Sequence, residues 1–305
     1  LLPFAFYEML TERAILQEWF RAVLGSAHND VYHDPRLGLY RAQTVMQHPI
    51  LWGVFCSIVV ANAFYIWADR LPSAFARMGL AFVATFSSVS SGAVLGALIQ
   101  FALMMWGWLT KGAWKLLSLG FAGTWVFLSI ASDRGPVGLA VSYLTFNPAT
   151  GWGRMAIWRH GIDDALANPI FGIGLNDWSR PFWLADSVDN FWLLIAMRYG
   201  FVGAGLLVAA LAWHIWQVTR AKGLTAYERR LREGYMIALV GLCFSLATVH
   251  FWGPPYLLFF AYIGAGAWFY ARPVCPEEVL QTTAPEDIDV STIREPGFAP
   301  SPSMP

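Results

Sequence analysis

Residues 78–110 read MGLAFVATFSSVSSGAVLGALIQFALMMWGWLT, 33 residues without a charge between Arg77 and Lys111. Two similar runs follow. Seventeen uncharged residues separate Lys115 from Asp133, and 21 residues whose only titratable His is His214 separate Arg198 from Arg220. An apolar block of about 18 residues or more is the length of a membrane span. One helix over 78–110 would run about 50 Å, too long for a core of ~30 Å. It is therefore divided at Ser87-Ser88-Val89-Ser90-Ser91-Gly92, its one polar cluster. The rest of the 305 residues agrees: 57% are hydrophobic and 13% charged, against about 25% charged in a soluble domain. Twenty Lys plus Arg balance twenty Asp plus Glu, which excludes a basic nucleic-acid binder and an acidic disordered chain. The fold expected is an all-α, polytopic transmembrane helical bundle.

Seven spans are read: Ile50 to Ala68, Leu71 to Val89, Gly92 to Leu109, Leu116 to Ala131, Phe191 to Trp216, Tyr235 to Trp252 and Pro255 to Ala271. Three alternate loops hold Arg70 and Arg77, Lys111 and Lys115, and Arg220, Lys222, Arg229, Arg230 and Arg232. An excess of Lys and Arg marks the cytoplasmic side. Residues 1–49 and 132–190 are then external, and their cations are eight Arg and no Lys. The tail 272–305 holds seven of the 17 Pro and six of the 20 acids, has no apolar period, and is expected to be disordered and cytoplasmic. Cys56, Cys243 and Cys275 form no metal or disulfide pattern and are expected to be inert. Leu1 to Phe6 read as the outer end of a helix that continues N-terminally, with no readable signal peptide.

Both external segments carry amphipathic helices. Thr11 to Gly25 sets Ile15, Leu16, Trp19, Phe20, Val23 and Leu24 against Glu12, Arg13, Gln17, Glu18 and Arg21. A polar stretch with His28, His33, Asp34, Arg36, Arg41 and His48 follows. In the 59-residue loop 132–190, Met155, Trp158, Ile162 and Leu166 recur at helical spacing up to Asn168-Pro169, which suits a helix along the membrane surface. An apolar turn with Gly172 and Gly174 follows, and Asp186-Ser-Val-Asp-Asn190 closes the loop. Gly172-x-Gly174 lacks the setting of a dinucleotide loop and reads as a turn. Gly92 and Gly96 suit close helix packing.

These motifs resemble the O-antigen ligase and O-antigen polymerase superfamily. The matching stretches are WRHGIDDALANPIFGIGLNDW at 158–178 and VDNFWLLIAMRYGFVG at 188–203, the latter ending in a Gly-x-x-Gly at Gly200 and Gly203. SVSSGAVLG at 88–96 is similar to the family's Ser-Arg-Gly turn. DPRLGLYRAQTVMQHPILWG at 34–53 is similar to its Arg-x-x-Gly segment. The resemblance covers about residues 30 to 271. It implies a bacterial inner-membrane glycosyltransferase acting on the periplasmic face, with about a dozen spans in the whole protein, about five of them N-terminal to this chain. Its donor is a glycan on undecaprenyl pyrophosphate, and its acceptor a glycan repeat or lipid A-core. It implies neither metal nor nucleotide as cofactor. Two positions depart from the pattern: Asp189 stands where many ligases have His, and Ser91 where many members have Arg. Both favour a polymerase over a strict ligase.

The residues suit that chemistry. A pyrophosphate donor asks for fixed cations, and Arg binds phosphate bidentately without losing its proton. Arg154 is the first candidate, with Arg159, then Arg36 and Arg41, as substrate-binding groups; each also suits headgroup contact or snorkelling. Asp189 would orient or deprotonate the acceptor hydroxyl, although it is equally placed to cap the helix that starts at Phe191. Asn190 completes the motif. Arg198, about seven residues into a span, is a functional candidate by depth, with snorkelling as its rival. His160 reads as a surface histidine; His250, near the outer end of the sixth span, could face the site, although a hydrogen-bonded packing role is the favoured reading. The alternatives are a transporter or flippase for a polysaccharide precursor, and a fragment that is inactive without further spans.

Overall fold

The structure is a computed structural model and describes residues 1–25 and 35–271. The expected tail 272–305 with Cys275, and His28, His33 and Asp34, lie outside the described residues. The described residues form helices joined by turns, without a β-sheet. Before the bundle come α1 (Leu2–Thr11) and α2 (Ile15–Leu24), the latter ending at Gly25 as its composition suggests. Next are α3 (Pro49–Ile66), α4 (Leu71–Ser87), α5 (Ser91–Thr110) and α6 (Trp114–Ala131). The 132–190 segment contributes α7 (Gly135–Leu144) and α8 (Pro148–Ala167). Then α9 (Phe191–Arg220), α10 (Ala226–Leu246) and α11 (Pro254–Gly266) complete the chain, with a 3-10 turn at Ala267–Phe269.

Four helices are long and apolar enough to cross a membrane: α3, α5, α6 and α9. The other three expected spans are α4, with 17 residues, α10, whose first turns carry Glu228 to Glu233, and α11, with 13 residues. The division expected at Ser87 to Gly92 falls between α4 and α5. Much of the surface is apolar. No residue of α6 is buried, Ile130 is 82% exposed, and Leu206 of α9 is 68% exposed. Contiguous apolar area of this kind is a surface for lipid, not water.

Centrally, α3 packs on α4, α5 and α10. Small residues bring the backbones together. A Cβ on Gly96 would collide with the Ser245 hydroxyl, and one on Gly92 with Thr248, so both glycines serve the close packing expected of them. Buried Gln100 crosses from α5 to α3, donating to Ser57 O at 2.9 Å and accepting from Ala61 N at 3.1 Å. It thereby ties α5 to a carbonyl and an amide of the α3 backbone.

The feature that shapes the functional end is a break in α9. Gly200 has φ 68° and ψ 178°, so the helix is two segments, 191–199 and 201–220. The turn at 169–174 docks into the break. Met197 O, due to accept Phe201 N–H in a continuous helix, accepts Ile173 N–H at 2.7 Å instead. Arg198 O accepts Gly174 N–H at 3.0 Å, and Phe201 N–H donates to Pro169 O at 2.7 Å. The two backbones meet glycine to glycine. A Cβ on Gly172 would strike the Met197 and Arg198 carbonyls, and one on Gly200 would strike Ile170. Gly172 is therefore more than a turn former. The segment 191–197 is almost wholly buried, whereas most of 201–213 is exposed.

Gly200→Ala combines this collision with a backbone region open essentially to glycine alone. It should cost at least about 2 kcal/mol and lower the thermal midpoint of the detergent-solubilised protein, followed by tryptophan fluorescence. Gly205→Ala is the control, since open space surrounds Gly205 within its helix; it should be neutral or slightly stabilising. Equal midpoints for the two variants would contradict the clasp.

Candidate functional site

Asn190 starts α9. Its Oδ1 accepts Leu193 N–H at 3.0 Å, while its Nδ2 donates to Ala247 O at 2.9 Å. Phe191 N–H donates to Val249 O at 3.3 Å. The turn after α10 is thus tied to the first turn of α9. The cap is Asn190, not Asp189, because Asn190 satisfies the orphan amide and reaches the neighbouring carbonyl as well. Asn190 holds the scaffold, and the Asp189 carboxylate is left for another partner.

That partner is Arg154. Its Nε lies 3.6 Å from Asp189 Oδ2, with the side chains 18% and 35% exposed. The separation makes an ion pair, longer than a hydrogen bond, and the buried Nε has no hydrogen-bond acceptor. Burial pulls the Arg154 guanidinium down from its ordinary pKa and Asp189 opposes this; an arginine so placed still keeps its proton at neutral pH. Helix α8 delivers Arg154. It starts with Asn147, whose Oδ1 accepts Ala149 N–H at 3.0 Å, followed by Pro148 at the first position. Its packed face is Gly151, Ile157, Gly161 and Ala165, and a Cβ on Gly161 would come within 2.9 Å of Leu193 and Met197. This packed face is separate from the apolar stripe that the sequence sets toward the membrane surface. Small residues fit the close approach to α9, while Trp158 and Leu166 stay exposed on another face.

His250 lies within the electrostatic reach of Asp189. It lies beyond the end of α10, half-buried, in the turn bonded to the start of α9. Its ring centroid is 5.6 Å from that of Trp252, and its buried Nδ1 has no hydrogen-bond partner. A hydrogen-bonded packing role is thus not what the structure shows. Burial holds the imidazole below its usual pKa; Arg198 pushes the same way and Asp189 the other, so His250 feels both charges. The sequence carries one signal for it: between Glu233 and Arg272 it is the only His, Asp, Glu, Lys or Arg.

Of the remaining candidates only Arg198 is near this group, its charge reaching His250. Arg198 sits two residues before the α9 break, and its carbonyl is held by Gly174. Arg159 is exposed, about 140° around α8 from Arg154 at ~100° per residue. Buried Arg41 donates from Nε to Ser88 O at 3.4 Å, and Arg36 from Nη1 to Val89 O at 3.5 Å. Both therefore meet the turn between α4 and α5, two or three residues before Ser91. His160 packs edge-on to Trp183 at 6.3 Å, and His48 caps α3 by accepting Ile50 N–H at 3.1 Å. The loop after the docked turn is pinned to α8, since Asp164 Oδ2 accepts Ser179 N–H at 2.6 Å. Among the described residues, no group of three or more His, Cys, Asp or Glu is placed to hold a metal ion.

Removing Asp189 leaves Arg154 buried without its counter-charge. Asp189→Asn should destabilise by about 1–2 kcal/mol, given solvent access to the carboxylate. Adding Arg154→Met should cost less than the two single changes summed, with a coupling of about 1 kcal/mol in a thermal-melt double-mutant cycle. Strict additivity would show that the pair does not interact. No protein-family model, no curated sequence and no solved structure matches this chain.

Proposed function

We propose that the chain is an inner-membrane glycosyltransferase of the O-antigen ligase or polymerase type, with polymerase the better reading. It moves glycan repeats from undecaprenyl pyrophosphate to a hydroxyl of a glycan repeat or lipid A-core. The single observation that carries this is the Arg154–Asp189 pair beside His250, held at the start of α9 by α8 and the turn after α10. The family resemblance supports it, because Arg154, Asp189 and Asn190 lie in or next to the resembling stretches. In this reading α4, α10 and α11 complete seven spans, and the 132–190 segment lies on the periplasmic face. Apolar side chains on that segment, including Phe171 and Leu175 at 85% exposure and Phe182 at 99%, suit contact with the membrane surface.

The chemistry follows from the charges. The acceptor oxygen forms a bond to the anomeric carbon as the anomeric carbon–oxygen bond to the pyrophosphate breaks. The bonding electrons leave with the pyrophosphate, and the acceptor proton passes to a base. Arg154 supplies a fixed cation for the leaving phosphate, already desolvated and so stronger than the same charge in water. Asp189 orients the acceptor hydroxyl, and His250, neutral at pH 7 and with a free buried nitrogen, takes its proton. Arg36 and Arg41 bring cationic side chains against the turn that lacks the family's Arg at Ser91.

In a strain deleted for the gene, Arg154→Ala and Asp189→Ala should each abolish polymer while the protein still inserts. Normal polymer in both would refute the site. Flux of a precursor into proteoliposomes without glycan transfer would instead favour the transporter. Transfer should fall as pH drops below about 6.5, the ordinary imidazole value, with its midpoint beneath that because burial and Arg198 hold the pKa of His250 down. His250→Gln should lower the rate about 10²-fold or more and erase the acid limb; an unchanged profile would remove His250 as the base.

A further inference from the structure

A second feature lies at the other end of the bundle. Helix α3 runs from His48, at the Asp189 end, to Ile66, and α5 runs the same way from Ser91 to Thr110. Where they finish, with α4, α10, the end of α9 and the start of α6, they line a half-open cavity of about 1060 Å³, slightly above the roughly 300–1,000 Å³ range of small-molecule pockets. Its walls are aromatic and methionine-rich, with Phe75, Met104, Met105, Trp108 and Trp114 among them. Unbranched methionine adapts to flexible chains. The polar groups are Tyr65, Lys111 and Thr219, near the ends of α3, α5 and α9, and Arg232 and Glu233, about two turns into α10. Arg232 is fixed there, its Nη1 donating to Ala221 O at 3.3 Å and Thr219 O at 3.4 Å. Lys111 and Arg232 outnumber Glu233, so the lining is net cationic. The connections and helix ends at this side of the bundle also carry Arg70, Arg77, Lys115, Arg220, Lys222, Arg229 and Arg230, against Asp69 and Glu228.

We infer that this cavity binds an anionic phospholipid, its acyl chains among Phe75, Met104, Met105 and Trp108 and its phosphate between Lys111 and Arg232. Charge and shape agree on that occupant. The apolar walls require chains that leave water, and the cations sit at one end, where a headgroup would emerge. A zwitterionic lipid would gain less from such a rim, and a free phosphate would leave the walls empty. The inference does not depend on the glycosyltransferase reading.

The test uses the full chain in nanodiscs containing phosphatidylglycerol with a photoreactive diazirine in one acyl chain, followed by peptide mapping. Adducts are expected to concentrate on Met104, Met105, Trp108 and Trp114. Lys111→Glu should reduce them about five-fold or more, the worth of one surface lysine against an anionic lipid, while adducts on 119–130 of α6 stay unchanged. Val240→Trp, which fills the cavity from its wall, should reduce them independently. The inference is overturned if diazirine phosphatidylcholine labels the same residues equally, if adducts spread evenly over α6 and 201–213, or if neither variant changes the cavity labelling while eluting as folded protein.

Discussion

The rest of the functional end depends on how a broken helix satisfies its backbone. An interrupted helix exposes carbonyl and amide groups that have no partner in an apolar medium, and each costs several kcal/mol if left alone. At Gly200 those groups are met by the 169–174 turn, which donates Ile173 and Gly174 N–H to Met197 and Arg198 and receives Phe201 N–H at Pro169. The exchange requires backbone to touch backbone, so both sides carry glycine. It also dictates the rest of the loop. Because Pro169 follows the end of α8 directly, seating the turn lays α8 along 191–199, with Gly161 against Leu193 and Met197. Arg154, two turns earlier on the same face, then meets Asp189 just ahead of α9.

The bundle separates two chemical environments. At one end, turns from four parts of the chain converge: Arg36 and Arg41 on the Ser88–Val89 carbonyls, Asn190 on Ala247, Gly92 against Thr248, and His48 and His250 on Trp252. At the other end cations outnumber acids. Asp69 and Arg230 pair with two contacts at 2.6 and 2.8 Å, and Thr225 and Glu228 close a capping box at the start of α10. Between them the bundle is bound by small residues and by Gln100, a polar group wholly satisfied by the α3 backbone.

Long-range features of composition were legible without coordinates. Uncharged runs show where α3, α5, α6 and α9 lie, because no water-soluble helix needs so long an apolar stretch. Asn168-Pro169 marked the end of α8, since the residue before proline avoids helical geometry. Arg154 and Asp189 were legible as candidates, though not as a pair, because 34 residues separate them. The protein-packed face of α8 was not legible, for a physical reason. Hydrophobicity marks what avoids water, but in a lipid setting apolar side chains also face outward, and the packed face goes to glycine and alanine. His250 was underrated because one histidine beside an apolar run carries no pattern.

The sequence by itself determined the class of molecule, the positions of its apolar helices and the sorting of its charges, all of which depend on local solvation along the chain. Only the tertiary structure decided that Asn190 caps α9 and releases Asp189 to Arg154, that Gly172 and Gly200 interlock, and that His250 comes within the field of Asp189 and Arg198. Those outcomes depend on which backbone groups are left without partners after the helices pack, and on which distant segment reaches them.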